Sequence, residues 1–242
     1  MPMHQRPDRS TPILEALQPR QMFAVTTYLF STGVLHVIAD EGANVIEFGV
    51  KKAYPNTLRL SVDGKVTKFP RAQVRRVNVN GAGGNDTIDI HGAGLRGNVT
   101  GGLGDDAITG SKLGDDLYGH EGNDTILSGD GPDTVAGAEG DDLIDGGADN
   151  DRLNGDRGFN GDRPGSNDDK IYGGEGDDLL YGGSGNDFLN SGNGKDALFG
   201  ESGNDTLIGG SGTDRLNPGD GTDTRRRSEA KDLVNGIFEV TE

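Results

Sequence analysis

The chain has 242 residues, a formal net charge of −17 and no cysteine. Its acidity argues against a nucleic-acid partner, because phosphate is neutralised by Lys and Arg, and the lack of Cys excludes disulfides and thiol chemistry. Hydrophobic residues make up 31% of the chain and 43 residues are glycine, too few large side chains for a conventional core throughout, and no run of ~18 apolar residues offers a transmembrane helix.

Residues 1–21 carry Pro2, Pro7, Pro12 and Pro19 and no apolar h-region; they are read as a disordered tail, not a Sec signal. Residues 22–80 are β-rich. Strands are expected over Phe23–Phe30, Val34–Ala39, Val45–Val50, Leu58–Val62, Val66–Phe69 and Val74–Val79. Alternation is plain in Leu58-Arg59-Leu60-Ser61-Val62, and Asp63-Gly64 supplies the two-residue turn of a hairpin. This segment is expected to cover the open first coil of whatever follows.

From residue 81 the chain becomes repetitive. Gly81-Ala82-Gly83-Gly84-Asn85-Asp86-Thr87-Ile88-Asp89 is a good nonapeptide, followed by a degenerate one in which Val99 keeps the aliphatic position and Gly97 stands where Asp belongs. From Gly101 to Arg226 the pattern G-G-x-G-x-D-x-U-x runs through fourteen blocks without a break in period. The sixth position is Asp106, Asp115, Asp124, Asp133, Asp142, Asp151, Asp169, Asp178, Asp187, Asp196, Asp205, Asp214 and Asp223, with Asn160 the exception. The eighth is aliphatic except at Asp162 and Arg225. Glycine-rich hexads form turns, not helices. The x-U-x triplets form short strands whose U side chains share one face. One apolar residue per strand, each contributing ~1.5–3 kcal/mol, is stable only as a stack. Residues 155–172, with Asn160, Asp162 and Pro164, read as either a weakened coil or a bulged insertion. Residues 227–242, with the apolar run Leu233–Val240, are read as a C-terminal cap that is also compatible with a secretion signal.

This nonapeptide resembles the repeat of the RTX, or hemolysin-type calcium-binding, proteins. The resemblance implies an all-β fold: a right-handed parallel β-roll over residues 81–226, two nonapeptides per coil, with a small N-terminal β cap. Block n would lie over block n+2. One edge would then carry Asp106, Asp124, Asp142, Asn160, Asp178, Asp196 and Asp214, and the other Asp115, Asp133, Asp151, Asp169, Asp187, Asp205 and Asp223. Asp86 would pair with Asp106. Carboxylates stacked ~4.8 Å apart repel by about 1 kcal/mol even in water. A divalent cation between coils reverses that sign. Calcium takes ~6–8 oxygens in irregular geometry, which carboxylates and turn carbonyls supply; magnesium is stricter, and zinc is poorly served by four scattered histidines. Several Ca2+ ions are therefore expected, held by Asp86 and the thirteen sixth-position aspartates.

No catalytic constellation is evident. There is no H-E-x-x-H, no G-x-S-x-G and no phosphate loop, and without Trp the acidic pairs lack the aromatic walls of a sugar cleft. The expectation is a non-catalytic, calcium-folded structural or adhesion module. It would be secreted without an N-terminal signal peptide through a type I-like route, as the resemblance implies. The alternative is the calcium-binding part of an RTX-type secreted hydrolase or toxin. Outward positions Leu127, Leu143, Leu179, Tyr181 and Phe199 are expected to share one sheet as a stripe for a surface or self-association partner.

Overall fold

A computed structural model describes residues 25–156, 167–226, 233–234 and 237–238. The expected tail 1–21 and residues Asn160, Asp162 and Pro164 lie outside these. Among the described residues there is no α-helix, and none long and apolar enough to cross a membrane. The chain winds into two stacked twelve-stranded sheets, each joined largely by parallel neighbours. This is the expected parallel β-roll.

The first strands are β1 (Thr26–Leu29), β2 (Val34–Ile38), β3 (Val45–Val50), β4 (Thr57–Val62), β5 (Lys65–Pro70), β6 (Arg76–Gly83), β7 (Thr87–Gly92) and β8 (Arg96–Leu103). β2 pairs in parallel with β6 in one sheet, and β3 pairs in parallel with β7 in the other. The N-terminal segment thus builds the first coil of the roll itself. Covering falls to three antiparallel strands: β1 beside β2, and the β4–β5 hairpin beside β3. The hairpin turns at Asp63 and Gly64, both at positive φ (48° and 77°), as a two-residue turn between right-twisted strands requires. At the far end Leu233–Val234 pairs in parallel with Arg215–Asn217 and in antiparallel fashion with Ile237–Phe238, so the C-terminal segment extends the stack. The aliphatic row ends where Arg225 aligns with Leu207.

The core is a double file of fully buried aliphatics. Ile88, Ile108, Ile126, Ile144, Ile171, Leu189 and Leu207 line one sheet, and Val99, Leu117, Val135, Leu153, Leu180, Leu198 and Leu216 the other; none is more than 1% exposed. The N-terminal coils are richer. They bury Leu35 and Val37 on β2, Ile46 and Phe48 on β3, Val77 and Val79 on β6, and Ile88 and Ile90 on β7. Two inward apolar residues per strand replace one.

After a step of twenty at β6 and β7, as in Asn78↔Asn98 and Thr87↔Ala107, register follows the expected eighteen-residue step, as in Thr125↔Leu143 and Asp116↔Thr134, until residue 155. There Leu143 aligns with Lys170 and Arg152 with Leu179, a step of twenty-seven. The ladder passes over one nonapeptide between Asp156 and Asn167. The insertion reading of residues 155–172 is therefore the one realised. The sequence supplies the reason: keeping the period would place Asp162 in the aliphatic file, where an unpaired carboxylate is strongly disfavoured.

Candidate metal centre

The sixth-position aspartates occupy the turns at both edges of the roll. All thirteen sequence-predicted positions from Asp86 to Asp214 are no more than 3% exposed, and Asp115 is fully buried; Asp223, at the end, is half-buried. The skipped nonapeptide corrects the expected edge assignment. Nine residues are half a coil, so every aspartate beyond it changes side. One edge carries Asp86, Asp106, Asp124, Asp142, Asp169, Asp187, Asp205 and Asp223. The other carries Asp115, Asp133, Asp151, Asp178, Asp196 and Asp214. The pairing of Asp86 with Asp106 is present.

Each carboxylate has two tasks. Its Oδ1 accepts a backbone N–H from the turn one coil earlier, that of Asn44 for Asp86, of Gly97 for Asp115 and otherwise of an aspartate, at 2.7 Å for Asp106 N–H to Asp124 and 2.9 Å for Asp187 N–H to Asp205. These charge-assisted bonds tie successive turns together. The Oδ2 atoms of Asp86, Asp106, Asp124, Asp142, Asp151, Asp169, Asp178, Asp187 and Asp205 are buried and accept no hydrogen bond. A buried, unserved anionic oxygen is strongly disfavoured, and a file of them is a binding chemistry in search of a cation.

The first glycine of each turn makes room for that oxygen. A methyl carbon on Gly101 would lie 2.1 Å from Asp106 Oδ2 and 2.9 Å from Gly119 O of the next coil; on Gly119, 2.0 Å from Asp124 Oδ2 and 2.8 Å from Gly137 O. Carboxylate and carbonyl oxygens from adjacent coils thus converge on one small volume, which only glycine leaves open. Among the described residues no group of three or more His, Cys, Asp or Glu side chains is arranged to hold a metal ion. The oxygens that converge at these turns are carboxylates and backbone carbonyls, an all-oxygen set that suits calcium.

Burial pushes these acids far above the ordinary carboxylate range: to about 6 for Asp106, Asp178 and Asp205, about 7 for Asp86, Asp124, Asp133 and Asp187, about 8 for Asp142 and Asp151, and about 9 for Asp169. Desolvation is the leading cause throughout, offset by the amide donor and increased by neighbouring aspartates, as at Asp169 with Asp142 and Asp187. In the ion-free molecule the site prefers protons to bare charge. A divalent cation supplies the same neutralisation at neutral pH.

Two features escaped sequence reasoning. A second ladder runs along the fifth position of the first edge: the amides of Asp105, Asn123, Asp141, Asp168, Asn186, Asn204 and Thr222 donate to the side-chain oxygen one coil earlier, at 2.7–3.2 Å. It runs opposite to the sixth-position ladder. Its sequence signal was the recurrence of Asn and Asp beside the sixth-position Asp. The other feature is Asp156, 1% exposed. It accepts Asn167 Nδ2 at 2.8 Å and the Ser184 amide, joining the two ends of the skipped segment.

The expected apolar stripe is also corrected. Leu127 and Leu143 lie in one sheet, beside strands bearing Tyr172 and Phe188. Leu179, Tyr181 and Phe199 lie in the other. The half-coil step separates them. Tyr181 and Phe199 instead stack on each other at 5.0 Å, with Arg152 over the Tyr181 ring and Arg215 over that of Phe199.

A family model for the RTX calcium-binding nonapeptide repeat matches in four copies, over residues 100–135, 127–161, 165–198 and 190–224, together half of the chain. No curated protein matches the chain.

Proposed function

The chain belongs to the family of RTX calcium-binding nonapeptide repeats, and from that premise we propose that it is a secreted, non-catalytic structural or adhesion module whose repeat half folds on calcium. The observation that carries the folding part is the file of buried Oδ2 atoms without a donor, from Asp86 to Asp205. Bound ions would neutralise the file and complete its coordination with turn carbonyls. Because the unfolded chain lacks the convergent oxygens, calcium binds the folded state preferentially and stabilises it by mass action.

Extracellular placement follows the same logic. Extracellular calcium modules work at dissociation constants of ~10⁻⁴–10⁻³ M, so such a roll stays open where calcium is scarce and closes after export. The non-catalytic part is supported by the use of residues 34–50 and 76–83 as coils of the roll. A hydrolase screen on the calcium-folded chain tests it, and turnover would move the assignment to the calcium-binding part of an RTX-type enzyme.

Far-ultraviolet circular dichroism against calcium, with magnesium as control, tests the calcium reading directly. A cooperative gain of β signal with calcium but not magnesium is expected. Asp187→Ala and Asp205→Ala, neighbours on one edge, should each shift the transition to higher calcium. A signal indifferent to calcium would sink the proposal.

A further inference from the structure

The two edges are not chemically equal. On the first, every turn from Gly81 to Gly200 opens on glycine, and a methyl carbon placed on any of those glycines would lie 1.9–2.3 Å from the Oδ2 of its own turn's aspartate or of Asp169 in the case of Gly155, where the segment is skipped. Each of those aspartates, from Asp86 to Asp205, has an unserved Oδ2, as does Asp133 on the second edge; what separates the edges is the residue that opens each turn.

On the second edge three turns are already filled by the protein. Ser128 and Ser191 stand at first positions and are completely buried. Each hydroxyl donates to the first-position carbonyl of the next coil, Gly146 O at 2.6 Å and Gly209 O at 2.8 Å. That carbonyl is the oxygen which, in glycine turns, converges with the carboxylate. A serine both occupies the volume and engages the carbonyl. In the third turn, Asp115 Oδ2 accepts the Ser111 amide at 2.6 Å while Oδ1 accepts Gly97 N–H at 2.6 Å. Arg96 Nε donates to Gly114 O beside it, and its charge favours the Asp115 carboxylate. Asp115 is thus served by donors on both oxygens. The turns opening at Gly146 and Gly173 repeat the open arrangement around the unserved Oδ2 of Asp151 and Asp178, and the turn at Gly209 opens on glycine as well, with a methyl carbon there 2.7 Å from Asp214 Oδ2.

The geometry points to an asymmetric cation array, an inference that rests on the calcium reading above. Calcium fills the first edge continuously, whereas on the second the turns of Asp115, Asp133 and Asp196 are closed by Ser111 with Arg96, by Ser128 and by Ser191 in place of ions. Asp115 is a hydrogen-bonded staple and not a calcium ligand. The serines hold adjacent coils together by their own hydroxyls, so those steps of the stack need no metal.

Calcium bound per chain, measured by equilibrium dialysis and metal analysis on the full chain, decides the matter. Asp124→Asn should lose bound calcium, and Asp115→Asn should retain the parent amount. Ser128→Gly with Ser191→Gly should gain calcium, because two filled turns become open ones. Circular dichroism in saturating calcium identifies the variants that keep the fold, and the comparison is drawn among those. Equal loss in Asp124→Asn and Asp115→Asn, or no gain in the double serine variant, overturns the asymmetry while leaving the calcium reading intact. A parent chain that binds no calcium overturns both.

Discussion

The first coils and the later ones share a winding but not a means of cohesion. Each of β2, β3, β4, β6 and β7 buries two apolar side chains, and among the described residues Asp86 is the one buried carboxylate of their turns. Arg71 holds the Val74 and Gly94 carbonyls, and Ile90 fills the space beside Gly97, where a methyl carbon would lie 2.2 Å from its Cδ1. Beyond β8 the aliphatic file supplies one large apolar side chain per repeat strand, and most of the other buried side chains are aspartates. The first region is stabilised by the hydrophobic effect, which needs no partner. In the second, the apolar file is opposed by buried charge. The lesson is that an identical coil can be made self-sufficient or ion-dependent by what fills the inner face of its turns.

The largest expected consequence is a split response to calcium removal. In chelator, hydrogen exchange should remain slow in β2, β3, β6 and β7 and become fast in the strands bearing Ile171, Leu180, Leu189 and Leu198; calcium should slow both. Uniform behaviour along the chain would erase the distinction. Next comes pH. The buried aspartates have folded-state values of about 6 to about 9 against 3.8 when free, so without calcium their contribution favours folding at low pH and is lost as pH rises through that window. Calcium-free protein should gain β signal when taken from pH 8 to pH 5, whereas calcium-loaded protein should change little over that range. A calcium-free chain that loses β signal on the same step would reverse the sign.

Third, Leu180→Ala empties a fully buried site in the thin file and should destabilise the calcium-loaded roll by about 2–5 kcal/mol, read as a lower melting temperature. The same change at Val37 removes fewer methyl groups from the thicker file and should be milder. The smallest pair of effects concerns glycine. Gly119→Ala would put its methyl 2.0 Å from Asp124 Oδ2 and should raise the calcium needed for folding, while Gly49→Ala meets nothing within 4 Å and should leave the calcium titration unchanged.

Much of this was legible in the residues. The period of nine gave the turns, the aliphatic file and the buried carboxylates, and Asp63-Gly64 gave its hairpin. The exchange of edges was not, because the skipped block keeps the period and only Asp162 and Asn160 mark it as unfit. The division of labour between Oδ1 and Oδ2 depends on which amide sits above each turn, a relation between residues eighteen or twenty-seven apart. Gly97 looked like a missing ligand; its neighbour Ile90 shows that it is a place given over to packing.

The step at Asp156 bears on how such a rod can change length. A unit that loses its aspartate or its aliphatic residue need not terminate the array, since hydrogen bonding resumes with the next intact unit. But gain or loss of a single unit rotates all downstream decoration by half a revolution, bringing Tyr181 and Phe199 onto the face opposite Leu143. Changes by two units preserve which surface each side chain shows. Growth in pairs is therefore silent for whatever docks on the rod, and growth by one is not.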